Sequence, residues 1–560
     1  MLVFVLTFLV ILVMQPILKK ILPQQSAEEP KKTETTPAPP PASQPPAAVT
    51  PLPAAKAAVA GKQASAESTT TVENDLYRIE FSNRGAQVKS WVLKKFDDEK
   101  GKPLELVNSA GAAKYGFPMS LWTYDENLRN KLNSALYMVN KMGTAQAPDS
   151  ISFEYADDEV QVRKSFRFDH TYVVKVESGV TYRGSDIAAY PAWPAGFGDE
   201  TVASSYAAAR IDWQYADKIE RLAPKKISGG ATLQGPFHWA GVVDQYFGAV
   251  FMPDTPESAA MVTLHNGLDL PRYPENPKST ETTKVEVLGA AVGSTRGGTS
   301  ERVFVGPKTL DVLESVHIAS GDLRGLVNFG FFGIIARPLF LWLRWTQEHI
   351  VRNWGWAIAI QTLIINLALL PLRISSMKSS LKMQKVAPQI KAIQEKYKKY
   401  SMRDPKRAQM NQEVQALYKK EGVNPVGGCL PLIIQMPFLI AYYAMLGAAI
   451  ELRHAHWLWV RDLSSADPWH LMPILIIIST LFVQRMTPTG GMDPAQQKMM
   501  NLMMPLMLGV ISWNLAAGLC LYWAMSNGIG IVQQVLMNRT SLGREMRAEI
   551  EKRARKKAKA

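Results

Sequence analysis

Two hydrophobic patterns divide the chain. Between Thr71 and Ser320 apolar residues recur at every second position: Val160, Val162, Phe166 and Phe168 alternate with polar residues, as do Tyr172, Val174 and Val176, then Val285 and Val287. Period-two alternation predicts strands with one buried and one wet face. Gly, Asn and Asp turn signals are frequent there and helical periods few, so the segment is expected to form a soluble β-sandwich of about 250 residues. Elsewhere the chain holds long runs without charge: Leu2–Leu18, Gly355–Leu372, Gly422–Ile450, Pro468–Gln484 and the 40 residues Met499–Asn538. The last is too long for one helix, and Asn514–Gly518 offers a turn, so it splits in two. The runs therefore predict six transmembrane helices beside the β-sandwich, that is, a polytopic α-helical membrane protein with a large extracytoplasmic domain.

The segments between these runs complete the expected layout. Residues 1–20 form an anchor retained in the membrane with a cytoplasmic N-terminus, because a cleaved leader would place lysines before the apolar run. Lys19 and Lys20 instead follow it, on the side that positive charge disfavours. Residues 21–70 form a linker, for Pro30–Pro53 holds nine prolines in 24 residues and cannot bury enough apolar surface to order itself. The β-domain occupies 71–320. Residues 321–353 interleave Phe329, Phe331, Phe332, Leu339, Phe340, Leu341, Leu343 and Trp345 with Arg337, Arg344 and Arg352, which suits a helix in the membrane interface or a helix capping the β-domain. Residues 354–538 hold five spans and a charged helical hairpin at 375–421, in which Met383, Val386, Ile390, Ile393 and Tyr397 repeat at helical spacing, as do Met410, Val414 and Leu417. A basic tail closes the chain at 539–560.

Charge orients this layout. The net charge is +14, yet Arg373–Glu421 alone carries thirteen Lys/Arg against four Asp/Glu, and 539–560 carries nine against three. Those stretches sum to +15, so everything else nets −1. Each basic stretch abuts an apolar run, the pattern of loops held in the cytoplasm. Six spans with a cytoplasmic N-terminus also return the C-terminus to the cytoplasm, so both basic stretches land inside and the β-domain outside. Cys429 and Cys520 lie within apolar runs and offer neither a disulfide framework nor a cysteine zinc site.

The string Gly422-Val-Asn-Pro-Val-Gly-Gly-Cys-Leu-Pro-Leu-Ile-Ile-Gln-Met-Pro437 at the third span resembles the corresponding stretch of the YidC/Oxa/Alb family of membrane protein insertases. Ala416–Gly422, Asp493–Lys498 and Gly518–Asn527 add to the resemblance, and Phe304–Lys308 and Asn83–Ala86 resemble the periplasmic domain of Gram-negative members. The resemblance covers roughly Thr71 to Arg553. It implies a chaperone that inserts newly made proteins into the bacterial inner membrane, alone or beside the Sec translocon, with the β-domain in the periplasm. It also implies that the cytoplasmic hairpin meets incoming chains or Sec and signal-recognition components.

Insertion chemistry points to particular residues. A client's polar flank has to cross while its apolar segment slides into lipid, which needs polar walls inside the bundle because bare polar groups in hydrocarbon cost several kcal/mol each. Polar residues within spans are therefore groove candidates: Gln361, Thr362 and Asn366 in span two, Gln435 in span three, Ser479, Thr480 and Gln484 in span four, and Tyr522, Ser526 and Asn527 in span six. Hydrogen bonding between helices is the competing role for each. The resemblance implies an arginine where this chain has Asn366, a residue that in the family attracts acidic groups of the client's translocated tail. Arg373 lies seven residues on, two turns and about 10 Å toward the cytoplasm on nearly the same face, so its long side chain is expected to snorkel back into the groove mouth or to anchor at the cytoplasmic edge. Trp523 stands where relatives often show a second tyrosine. Span five adds Met499, Met500, Met503, Met504 and Met507, whose thioethers suit either a surface meeting varied apolar clients or a filled bundle core.

The tail supplies Arg544, Arg547, Lys552, Arg553, Arg555, Lys556, Lys557 and Lys559, expected to meet anionic lipids or ribosomal phosphates, or only to set topology. It holds no aromatic residue for base stacking, so sequence-specific nucleic-acid reading is not expected. No cofactor is expected, nor an enzyme: the chain has no P-loop, dinucleotide glycine pattern or zinc-protease helix. His454, His456 and His470 lack acidic or cysteine partners at metal spacing and, with Trp457, Trp459 and Trp469, suit an interfacial belt. A secondary transporter with an outer β-domain is the alternative, but it calls for internal repeats and paired charges within the spans. A β-domain scaffold merely anchored in the membrane leaves five further spans unexplained.

Overall fold

The computed structural model describes residues 61–216, 218–272, 280–398, 400, 404–423, 430–486, 494–541, 543–545 and 548. The expected anchor Leu2–Leu18 and the proline-rich tether lie outside them. The chain divides into two compact units, 1–326 and 327–560.

The first unit is β-rich. One sheet runs Pro103–Glu105, Gln87–Asp97, Tyr77–Ser82, Thr69–Glu73 and Gly143–Gln146, with only the last pair parallel. A larger antiparallel sheet runs Lys218–Leu222, Arg210–Tyr215, Trp239–Val243, Phe247–Pro253, Thr299–Pro307, Val173–Tyr182, Val160–Phe168, Asp149–Ala156 and Met138–Val139, with Ser185–Ile187 beside Val173–Tyr182. A third joins Thr232–Gln234, Ala259–Pro271, Thr282–Ser294, Tyr190–Trp193 and Ser120–Trp122. Four short helices interrupt the strands: α1 (Ser109–Tyr115), α2 (Glu126–Ser134), α3 (Ala203–Tyr206) and α4 (Leu310–Ser315). The alternation expected of Val160–Phe168 is realised, with every second residue from Val160 buried. The unit starts earlier than the boundary at 71. The β-branched run Thr69-Thr70-Thr71-Val72 forms a strand, and Lys62 exchanges 2.9 Å backbone bonds with Ala156.

The second unit is helical: α5 (Gly333–His349), α6 (Trp354–Ala368), α7 (Leu370–Lys396), α8 (Pro405–Lys420), α9 (Leu430–Ala448), α10 (Leu471–Met486), α11 (Pro494–Ser512) and α12 (Ala517–Arg539). The amphipathic segment expected over 321–353 is α-helical only from Gly333, since 321–326, with a short 3-10 turn at Leu323–Leu326, belongs to the β-rich unit and Gly330 adopts φ 65° just ahead of the helix. The long apolar run divides as expected, α11 ending at Ser512 and α12 starting at Ala517. Helix α12 packs on α6 and α10, α10 on α11, and α5 on α6 and α9. Among the described residues no single helix is long and apolar enough to cross a membrane. The pair α6 and α7 passes that test together, bent by 50°. Pro371 at the start of α7 lacks the amide that would continue the ladder, which accounts for the bend.

Candidate functional site

Three helices of the second unit, α6, α10 and α11, turn apolar faces outward. On α6 the buried stripe is Ile358, Gln361, Thr362, Ile365 and Asn366, whereas Leu363, Ile364 and Leu367 on the opposite face are exposed, Leu367 by 52%. Exposed stripes of α10 (Ile474, Leu475, Ile478, Phe482) and α11 (Leu502, Leu506, Val510, Ile511) are equally apolar. A water-soluble bundle shows the reverse pattern, so these faces suit hydrocarbon.

Asn366 is the hub of the polar interior. Its Nδ2 donates to the Thr362 carbonyl at 2.9 Å and to Ser526 Oγ at 3.3 Å. Gln435 Nε2 on α9 also donates to Ser526 Oγ, at 3.2 Å, and Gln533 Nε2 donates to the Asn366 carbonyl at 3.1 Å. Arg373, two residues past Pro371, turns back along the bend so that its Nη2 donates to Asn366 Oδ1 at 3.5 Å. That long bond is the guanidinium's one hydrogen bond among the described residues. Thr362 bonds its own helix, Oγ1 to the Ile358 carbonyl at 2.6 Å. Asn366 thus joins α6, α7 and α12 directly, with α9 linked through Ser526, and Gln533 Oε1 is buried without a partner.

Two smaller groups flank the hub. Asn527 Nδ2 donates at 3.0 Å to both Ser479 Oγ and Thr480 Oγ1, tying α12 to α10. The Tyr442 hydroxyl donates to Gln361 Oε1, and Gln361 Nε2 in turn donates to the Leu339 carbonyl at 2.9 Å. The Tyr442 ring stacks on Tyr522 with centroids 4.0 Å apart.

Of the residues singled out in the sequence, Thr362, Asn366, Arg373, Gln435 and Ser526 meet at the hub, Ser479 and Asn527 pair elsewhere, and Tyr522 joins the aromatic stack. Trp523 and Gln484 are half-buried. Met503 and Met507 are 59% and 54% exposed on the outer face of α11, away from the polar group and not in a bundle core. In the tail Arg544 is exposed. Arg547, Lys552, Arg553, Arg555, Lys556, Lys557 and Lys559 lie outside the described residues, as do residues 424–429 of the third-span string. Two participants escaped the sequence reading, Gln533 and Tyr442. Each follows a singled-out residue by seven, Gln533 after Ser526 and Tyr442 after Gln435, the two-turn spacing that returns a side chain to the same face.

Comparison with known proteins identifies the group. Residues 345–544 match the family 60Kd inner membrane protein, and residues 69–342 match the YidC periplasmic domain. The membrane protein insertase YidC of Cupriavidus necator is 32% identical over 87% of this chain and 86% of its own. That of Geobacter sulfurreducens is 31% identical over 83% and 85%, and that of Bordetella avium 30% identical over 84% and 82%. With both the β-rich and the helical unit matched, the chain belongs to the YidC family of membrane protein insertases.

Proposed function

We propose that this chain inserts newly synthesised proteins into the bacterial inner membrane through the polar interior gathered on Asn366. The observation that carries the reading is the inversion of the helices, with apolar faces outward, a hydrogen-bonded polar hub within, and a guanidinium whose donors are largely unspent. A client's polar flank exchanges its hydration for such a hub while its apolar segment leaves over the exposed leucines and methionines of α10 and α11. Six spans, cytoplasmic termini and a periplasmic β-rich unit complete the arrangement. They are supported by the concentration of basic charge in 373–421 and 539–560. Nascent membrane proteins are the clients. The Sec translocon, anionic lipids and the ribosome, met through the basic tail, are the further partners.

Within this reading Arg373 is the groove's positive charge, moved two turns toward the cytoplasm from the place held by Asn366. A guanidinium short of acceptors in a helical interior favours an arriving carboxylate. The test is insertion by full-length protein of two clients that differ only in acidic or neutral translocated flanks. Arg373→Gln is expected to slow the acidic client about tenfold, the scale of one charge-assisted contact, and to spare the neutral one. Equal rates for both clients with wild type and variant overturn the assignment.

A further inference from the structure

The Arg373 guanidinium lies against a gap in the facing helix. Gly530 on α12 is buried between Ser526 and Gln533, one turn from each, and both neighbours bond to Asn366. A Cβ on Gly530 would stand 2.7 Å from Arg373 Nη1, 3.3 Å from Nη2 and 3.5 Å from Cζ. Nothing else lies within its three nearest contacts, and its backbone is ordinary helix, so the conformational freedom of glycine is not what this position uses. Gly528, on the same helix, is exposed and would meet nothing within 4 Å.

We propose that Gly530 is a positioning residue for the Arg373 guanidinium. By leaving out one side chain it lets the charge lie flat against α12 and within reach of Asn366, and so sets the preference for clients with acidic flanks. A methyl group obliges the flexible end of the arginine to shift, and a branched side chain fills the slot and turns the charge outward. The inference rests on the reading of Arg373 as the charge that clients meet.

The test uses full-length protein in anionic-lipid vesicles, the acidic-flank and neutral-flank clients, and the variants Gly530→Ala, Gly530→Val, Gly528→Val, Arg373→Gln and Gly530→Val with Arg373→Gln. The expected result is graded: Gly530→Ala slows the acidic client slightly and Gly530→Val by about three- to tenfold, the scale of one misplaced charge-assisted contact. The neutral client and the thermal midpoint stay unchanged. Gly528→Val behaves as wild type, and Gly530→Val adds nothing once Arg373 is glutamine. Equal loss for both clients, or a loss that persists in the Arg373→Gln background, makes Gly530 a packing glycine and overturns the proposal. If Arg373→Gln itself fails to separate the clients, the charge reading falls and the role of Gly530 falls with it.

Discussion

The two units treat buried polar groups in opposite ways, and the contrast identifies the solvent each was built against. In the β-rich unit charged side chains go fully inside, and two lysines among them are answered by fixed backbone. Lys164 is completely buried, and its ammonium donates to the carbonyls of Gly85 (2.9 Å), Ala86 (2.7 Å) and Met119 (2.6 Å). Burial pushes that ammonium down to about 7. Lys308 is likewise buried on the Asp244 carbonyl at 2.7 Å and pushed down to about 8, chiefly by burial. The outer faces of strands such as Val160–Phe168 are wet. In the helical unit the polar residues set among the buried apolar ones are, apart from Asp467, neutral amides and hydroxyls, and the exposed faces of α6, α10 and α11 are mainly leucine, isoleucine and methionine. A fold in water can hide a few ions because its polar surface is free elsewhere, whereas one in lipid has to gather its polar groups inside.

The sharpest way to break the first half of that contrast is to remove Lys164. Its three carbonyls come from the turn Gly85–Ala86 and from Met119, so one side chain bolts the larger sheet to two neighbouring segments. Lys164→Met leaves three buried acceptors unanswered and is expected to destabilise the β-rich unit by roughly 3–5 kcal/mol. Hydrogen exchange of Gly85–Val88 and Phe117–Leu121 in the full chain reads this directly. Protection as strong as in wild type rejects the bolt.

The second half is tested on α6. Leu363 faces outward, and Leu363→Asp places a carboxylate where the inverted pattern expects hydrocarbon. A loss of about 2.5–3.5 kcal/mol in membrane integration is expected, the cost of an acidic residue near the middle of a span. The fraction resisting carbonate extraction measures it. If that face meets water instead, Leu363→Asp leaves the fraction unchanged.

These two residues also show how much was legible beforehand. Strand alternation from Val160 to Phe168 was visible, and the same period places Lys164 in phase with Val162 and Phe166, on the inner face. The anomaly was therefore in the sequence, but its three acceptors lie 45 to 79 residues away and no local pattern announces them. Glu301 repeats the case, in phase with Val303 and Val305. In the helical unit Arg373 was traceable to Asn366 by its seven-residue offset. The slot at Gly530 was not, because it exists only where α12 crosses the bend between α6 and α7. Where helices start was legible only approximately: α7 begins at Leu370 because Pro371 ends one ladder and opens another, not where the charged hairpin residues begin.

Glu301 sharpens the contrast through pH. Its carboxyl is completely buried with neither oxygen partnered, and burial, then Asp254, raise its affinity for a proton well above the ordinary 4.5, with Lys175 opposing. The folded state therefore holds a proton that the unfolded chain releases. Stability from this group is full below pH 4.5 and declines as pH rises toward the raised folded value. Glu301→Leu is expected to gain about 1–3 kcal/mol at pH 7.5 and progressively less on acidification. Thermal unfolding of the full chain across pH checks it, and a gain independent of pH removes the titration from the account.

The smallest effect separates two kinds of polar contact within the helical unit itself. Asn527 bonds Ser479 and Thr480 and not Asn366, so its work is to hold α12 to α10. Asn527→Ala is expected to cost only about 0.6 kcal/mol of stability, the usual worth of such a bond between spans, because the helices find other partners when it is lost. Its signature is the inverse of that at Arg373: stability falls slightly while acidic and neutral clients keep the same ratio of insertion rates. Should Asn527→Ala shift that ratio, the polar interior is a single continuous wall from α10 to α7, and the division between structural bonds and a charged site at Arg373 no longer holds.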